Sequence, residues 1–177
     1  MPQDWKPGVK NLGAILLFLL GGASAYLYFL GIPPKESKLI DNFHAHRAAY
    51  ERLRDMLTSD TQVRAVYVRF GVETINSGLP HPPSEVNFPV SRYDEYHALL
   101  DQISSAKIFR GGENNSDICI AVWAYGFGGD TRHIANCWLD HPPVNQIASL
   151  QNFYRTAKPR HPIFRHIDGN WYLWADW

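Results

Sequence analysis

Net charge is the first thing missing. Lysine and arginine number 17, and so do aspartate and glutamate. No excess of either sign draws the chain toward nucleic acid or toward an acidic partner. Cysteine is scarce, with two residues and no C-x2-C pair, and the eight histidines include no H-x3-H or H-E-x-x-H spacing. The local zinc motifs are therefore excluded. No serine sits in a G-x-S-x-G elbow, the strand-to-helix turn that exposes a nucleophile. Low-complexity tracts and long repeats are absent. His81-Pro82-Pro83 and His141-Pro142-Pro143 echo each other only as loop punctuation, because adjacent prolines cannot continue a helix or a central strand. No catalytic, metal or cofactor signature is present.

What the chain does have is Leu12–Ile32, LGAILLFLLGGASAYLYFLGI, without a single charged side chain. About 20 apolar residues, rising 1.5 Å each as a helix, span a hydrocarbon core of roughly 30 Å. Tyr26, Tyr28 and Phe29 suit the headgroup region at one end and Trp5 the other, and Pro33-Pro34 stops the helix. The expectation is an uncleaved signal anchor, residues 1–34, with its short tail in the cytoplasm and the domain on the periplasmic side of the inner membrane. The positive-inside count does not decide the orientation, since Lys6 and Lys10 precede the span and Lys35, Lys38 and Arg47 follow it. The alternative is a signal peptide cut after Ala25, at Ala23-Ser24-Ala25, which releases the domain. Gly21 and Ala25 have the small-xxx-small spacing that can pair two helices into a weak homodimer.

Residues 35–177 are long enough for one domain with its own core. Leu39, Phe43, His46, Tyr50, Leu53 and Leu57 form a stripe at alternating four- and three-residue spacing, which predicts one helix over Glu36–Thr58 packed on a sheet. Gln62–Phe70 alternates as a strand. Gly71–Pro89 reads as a long connection. Ser91 and Asp94 resemble a capping box opening a second helix to Ser104, with Tyr96, Leu99, Leu100 and Ile103 buried. Strands follow at Lys107–Arg110, Asp117–Tyr125 and Thr131–Leu139, and a last hairpin joins Ile163–Ile167 to Trp171–Asp176 across Asp168-Gly169-Asn170. The expected fold is α+β: an N-terminal transmembrane helix, then one domain with a five- to six-stranded antiparallel sheet and two flanking helices.

Cys119 and Cys137 sit on the two arms of one hairpin. If Phe127-Gly128-Gly129 is a three-residue loop, both lie nine residues from Gly128 and face each other, within reach of a disulfide. Across a two-residue loop they miss by one position. Two buried free thiols are the alternative.

Few residues offer chemistry. His44 and His46 are two apart on a helix and point to different faces. His133 is expected to share a strand face with Trp123. His81 in the long connection, with Asp130 and His133 at the turn, is the most plausible place for a site. Gly126–Gly129 lacks the spacing of a phosphate loop and precedes a strand. Arg155, Lys158, Arg160 and Arg165 form a basic run that could hold an anion, a lipid headgroup or an acidic partner. Leu39–Leu57 and His166–Trp177 together resemble a family of small bacterial envelope proteins with one N-terminal hydrophobic segment and no assigned function. The resemblance implies a bacterial origin and an antiparallel C-terminus, and it carries no site residues. The sequence thus favours a membrane-anchored, non-catalytic protein-interaction module, such as an immunity or assembly protein. The alternative is an anchored hydrolase or small-ligand-binding protein using the 71–89 loop and the 126–133 turn.

Overall fold

The computed structural model describes residues 31–112, 116–127, 130–153 and 162–176. The anchor expected at Leu12–Ile32 lies outside them apart from its last two residues. Among the described residues no helix is long and apolar enough to cross a membrane.

The first expected helix is two: α1 (Glu36–Ala45) and α2 (Arg47–Ser59), broken at His46. His46 leaves helical geometry at φ −120° and ψ 22°, and its amide is shared between the Asn42 and Phe43 carbonyls at 3.1 and 3.3 Å. The apolar stripe survives the break. Leu39, Phe43, Tyr50, Leu53 and Leu57 are all buried, and the last four enter one core with Ile108, Ile118, Ile120 and Trp171 of the sheet. Each such side chain contributes roughly 1.5–3 kcal/mol by leaving water. The stripe therefore packs on the sheet as expected.

After β1 (Val63–Tyr67) the supposed connection contains a strand, β2 (Gly71–Thr74), and a 3-10 turn at Pro83–Val86. Four residues are too few to show a period of two, which is why the sequence hides β2. Gly71 is needed there. Its φ is +97°, and a Cβ at this position would collide with the His81 carbonyl, which bonds the Val72 amide at 2.8 Å. Helix α3 (Val90–Gln102) opens one residue earlier than expected, with Pro89 as N-cap and no side-chain cap. The Pro89 carbonyl takes the Arg92 and Tyr93 amides at 3.0 Å, so Ser91 falls inside the first turn and the capping box does not form. Tyr96, Leu100 and Ile103 are buried as expected.

The remaining strands are β3 (Lys107–Gly111), β4 (Asp117–Phe127), β5 (Asp130–Trp138), β6 (Ile163–Asp168) and β7 (Trp171–Asp176), with a single helical turn, α4 (Leu150–Phe153), before β6. Among the described residues the fold is α+β around one seven-stranded antiparallel sheet, in the order β2-β1-β3-β4-β5-β7-β6. Helices α1 to α3 cover one face.

The cysteines do form a disulfide, with Cα atoms 4.0 Å apart. The route to that register differs from the expected one. Phe127 pairs with Asp130, so only two residues separate the arms, and the cysteines should miss by one. A bulge at Val122 restores them: Ala121 pairs with Ala135, Trp123 pairs with Ile134, and Val122 is the extra residue between. Val122 and Trp123 both pack with Ile134 on the helix side. The buried Ser105 hydroxyl donates to the Ala121 carbonyl at 2.6 Å, satisfying the ladder where the bulge disrupts it. The two-residue tip also changes the expected partner of His133, which pairs with Ala124, between tip and bulge, and lies on the opposite face from Trp123.

One carboxylate ties the start of the domain to its end. Glu36 Oε2 accepts the Leu150 and Gln151 amides at 2.5 and 3.2 Å and the Ser149 hydroxyl at 3.0 Å, while Oε1 meets Arg165 Nε at 3.3 Å. Glu36 thus caps α4 from across the molecule.

Two outcomes follow for stability. Reducing the disulfide, or replacing both cysteines with alanine, is expected to lower unfolding stability by about 3 kcal/mol for a loop of this length. Denaturant melts with and without reductant measure it, and two free thiols in the unreduced denatured protein would sink the bond itself. Glu36→Gln is expected to cost about 1–2 kcal/mol by removing a charge-assisted cap. Hydrogen exchange at the Leu150 and Gln151 amides should accelerate selectively, and unchanged protection there would refute the capping role.

Candidate functional site

Strand alternation assigns side chains to two faces. Ile108, Ile120, Ile134, Leu173 and Trp171 go to the helices. Their neighbours Phe109, Cys119, Ala135, Cys137, Tyr172 and Trp174 make a separate apolar cluster that contains no helix residue. The disulfide belongs to this second face, which no helix covers among the described residues.

Beside the disulfide the second face is hollow. A trough of about 430 Å³ is floored by Ala121, Ala124 and Ala135 and walled by Tyr67, Phe70, Phe109 and Trp174. It exists because three adjoining positions of β4 and β5 carry methyl groups where the flanking strands carry rings. The Phe109 and Trp174 rings meet edge-on at 6.3 Å, and Phe70, 67% exposed, stands at the rim 6.3 Å from Tyr67.

The polar groups of the trough are few and mostly basic. Lys107 opens β3, opposite Tyr67 on β1 and Ala121 on β4. Its amine sits 4.7 Å from the Tyr67 ring centre and 4.5 Å from that of Phe109. Burial lowers its pKa, the nearby Glu73 opposes this, and Arg64 adds to it. Among the described residues no carboxylate lies within ion-pair distance of Lys107. Glu73, itself nearly buried, is committed elsewhere: it accepts the Tyr67 hydroxyl at 2.9 Å and faces Arg64 at 3.5 Å. Burial and that carboxylate push the Tyr67 phenol up to about 12. His133 lines the trough from β5, paired with Ala124 on one side and Asp176 on the other. Burial holds its pKa down, Asp176 pulls the other way, and the Lys107 charge lowers it further. Arg69 lies at the rim.

The residues singled out from the sequence do not all meet here. His133 is in the trough. His81 bridges to Val72 beyond the edge strand β2, more than four strand spacings from β5 at roughly 4.8 Å each, and its Nδ1 faces Glu85 at 3.4 Å. Asp130 opens β5 at the hairpin tip. In the basic run, Arg165 is engaged by Glu36, and Arg155, Lys158 and Arg160 lie outside the described residues. Among the described residues no cluster of histidine, cysteine and carboxylate groups could hold a metal ion. Sequence reasoning missed Lys107, Tyr67, Phe109 and Trp174, which look like ordinary strand residues. Their signal was the run of alanines at 121, 124 and 135, legible only once the register was known.

His133 supplies a pH prediction. Its folded pKa is depressed, so the unfolded chain binds the proton more tightly. Its contribution to stability is full above the unfolded value near 6.5 and is lost as pH falls below it. An NMR titration should place the imidazole midpoint below 6.5, and a midpoint above it would contradict the half-buried, cation-facing position.

No family model, no curated protein and no solved structure matches the chain.

Proposed function

We propose that the chain is a non-catalytic binding module, tethered at the bacterial inner membrane by Leu12–Ile32 with its domain on the periplasmic side, and that the helix-free face of the sheet is its binding surface. The observation that carries this reading is the trough, a concave apolar hollow with a few convergent polar groups, which is the usual form of a ligand site. Support for the periplasmic side comes from the disulfide, since such bonds persist in oxidising compartments. A protein partner fits the role of an immunity or assembly factor. The size of the trough favours a second reading, a small ligand, because about 430 Å³ falls in the range of small-molecule pockets. An anchored hydrolase using His81, Asp130 and His133 has less support, given the distance between the two histidines along the sheet.

The test is crosslinking in whole cells. A photoreactive phenylalanine analogue replaces Phe70 or Trp174 in the full chain, with Val144, 98% exposed and outside the trough, as control. Irradiation is expected to give an adduct, protein or small molecule, from the first two positions and not from Val144. Equal labelling at all three positions, or none at Phe70 and Trp174, would remove the proposed surface.

A further inference from the structure

We infer that the trough binds an amphiphile with one carboxylate head and an apolar tail, a free fatty acid in chemical class, with its head at Lys107. The inference rests on the trough being the binding surface and adds the chemistry of its occupant.

Three observations select that chemistry. The first is charge. Lys107, Arg69 and His133 all reach the trough, and the nearby carboxylates are already engaged or flanking: Glu73 with Tyr67 and Arg64, Asp176 beside His133. A half-buried ammonium over two aromatic rings, with no carboxylate within ion-pair distance among the described residues, is a cation lacking its counterion. Burial pushes both Lys107 and His133 toward their neutral forms, and the Lys107 charge adds to this at His133 across the strand between them. One anion placed between them relieves both. The second observation is the lining. The floor residues Ala121 and Ala135 are paired in the ladder on both sides, and what they and Ala124 present to the trough is methyl groups between the rings of Tyr67, Phe109 and Trp174. Such a lining favours a ligand whose body is apolar. The third is shape. Ala121, Ala124 and Ala135 leave a slot between rings, which suits a methylene chain.

A bound carboxylate favours charged Lys107, so binding takes up a proton wherever the free amine is partly neutral. Affinity should fall as pH rises through the lysine's titration, which lies below the usual 10.5. The groups facing this amine are Tyr67 and Arg64 from β1, Glu73 from β2 and His133 from β5. Tyr67 titrates near 12, above that window.

The experiment uses the full chain in lipid nanodiscs and equilibrium dialysis with radiolabelled decanoate, empty discs serving as the blank. Saturable binding is expected, competed by unlabelled decanoate and not by decanol or decylamine. Lys107→Met should weaken it by about tenfold or more, as loss of a charge-assisted contact does. Lys107→Arg should retain most of it, and Ala124→Trp should abolish it by filling the floor. Unfolding midpoints of the variants must match the parent, and Lys107→Arg serves as the folded reference if Lys107→Met does not. Equal binding of decanol, or indifference to Lys107→Met in a folded protein, would overturn the anionic class. Absence of saturable decanoate binding would overturn the fatty acid. If the Phe70 crosslink persists in that case, the trough remains a binding surface for another occupant. If it too is missing, the surface itself falls.

Discussion

The ladder between β4 and β5, with its one extra residue at Val122, is the constraint on which the rest of the domain depends. Below the bulge it brings Cys119 opposite Cys137. Above it, Ala124 and His133 lie on the same face as Ala121 and Ala135, while Val122 and Trp123 turn together into the helix-side core. A straight ladder across the same two-residue tip would slip every pair below it by one position, and a slip of one moves side chains to the other face. The disulfide would be lost and the floor of the trough would not be made of methyl groups.

The helix side is a conventional core with one costly feature. Tyr50 donates to Asn42 Oδ1 at 3.1 Å and accepts from Asn136 Nδ2 at 2.9 Å, and burial pushes its phenol up to about 12. Asn136 is fully buried, and its Oδ1 has no hydrogen-bond partner among the described residues. Such an orphan costs about 1–3 kcal/mol. The bond to Tyr50 locks α2 to β5, so the polar pair trades stability for a defined seat of helix on sheet.

The opposite face shows a different economy of side chains. It buries the disulfide beneath Phe109, Tyr172 and Trp174, then opens into a hollow lined by Arg69, Lys107 and His133 and, among the described residues, by no carboxylate. A face designed only for solubility would carry charges outward on long side chains. Here the lysine lies inward, over two rings, at a cost in desolvation that a ligand can offset.

Much of the architecture was legible because periodicity reports burial directly. The stripe from Leu39 to Leu57, the long strands around the cysteines and the Asp168-Gly169-Asn170 turn all announce themselves locally. What could not be read depended on pairing. Strand β2 is four residues long and exists only because β1 and His81 supply partners on its two sides. Its Glu73 looks like a loop residue until the Tyr67 hydroxyl is placed against it. The site was less legible still. His133 was found from sequence, but with the wrong face, since a tip one residue shorter than expected inverts strand parity. Lys107 was not found, because nothing within β3 marks it; its character comes from rings on β1 and β3 and from alanines on β4 and β5. Composition and local pattern determined the α+β class and the apolar segment at Leu12–Ile32, and placed the two cysteines on the arms of one hairpin. The tertiary structure decided the register, the two faces and the trough, because a strand's sides are assigned by what it pairs with, and that information lies in other parts of the chain.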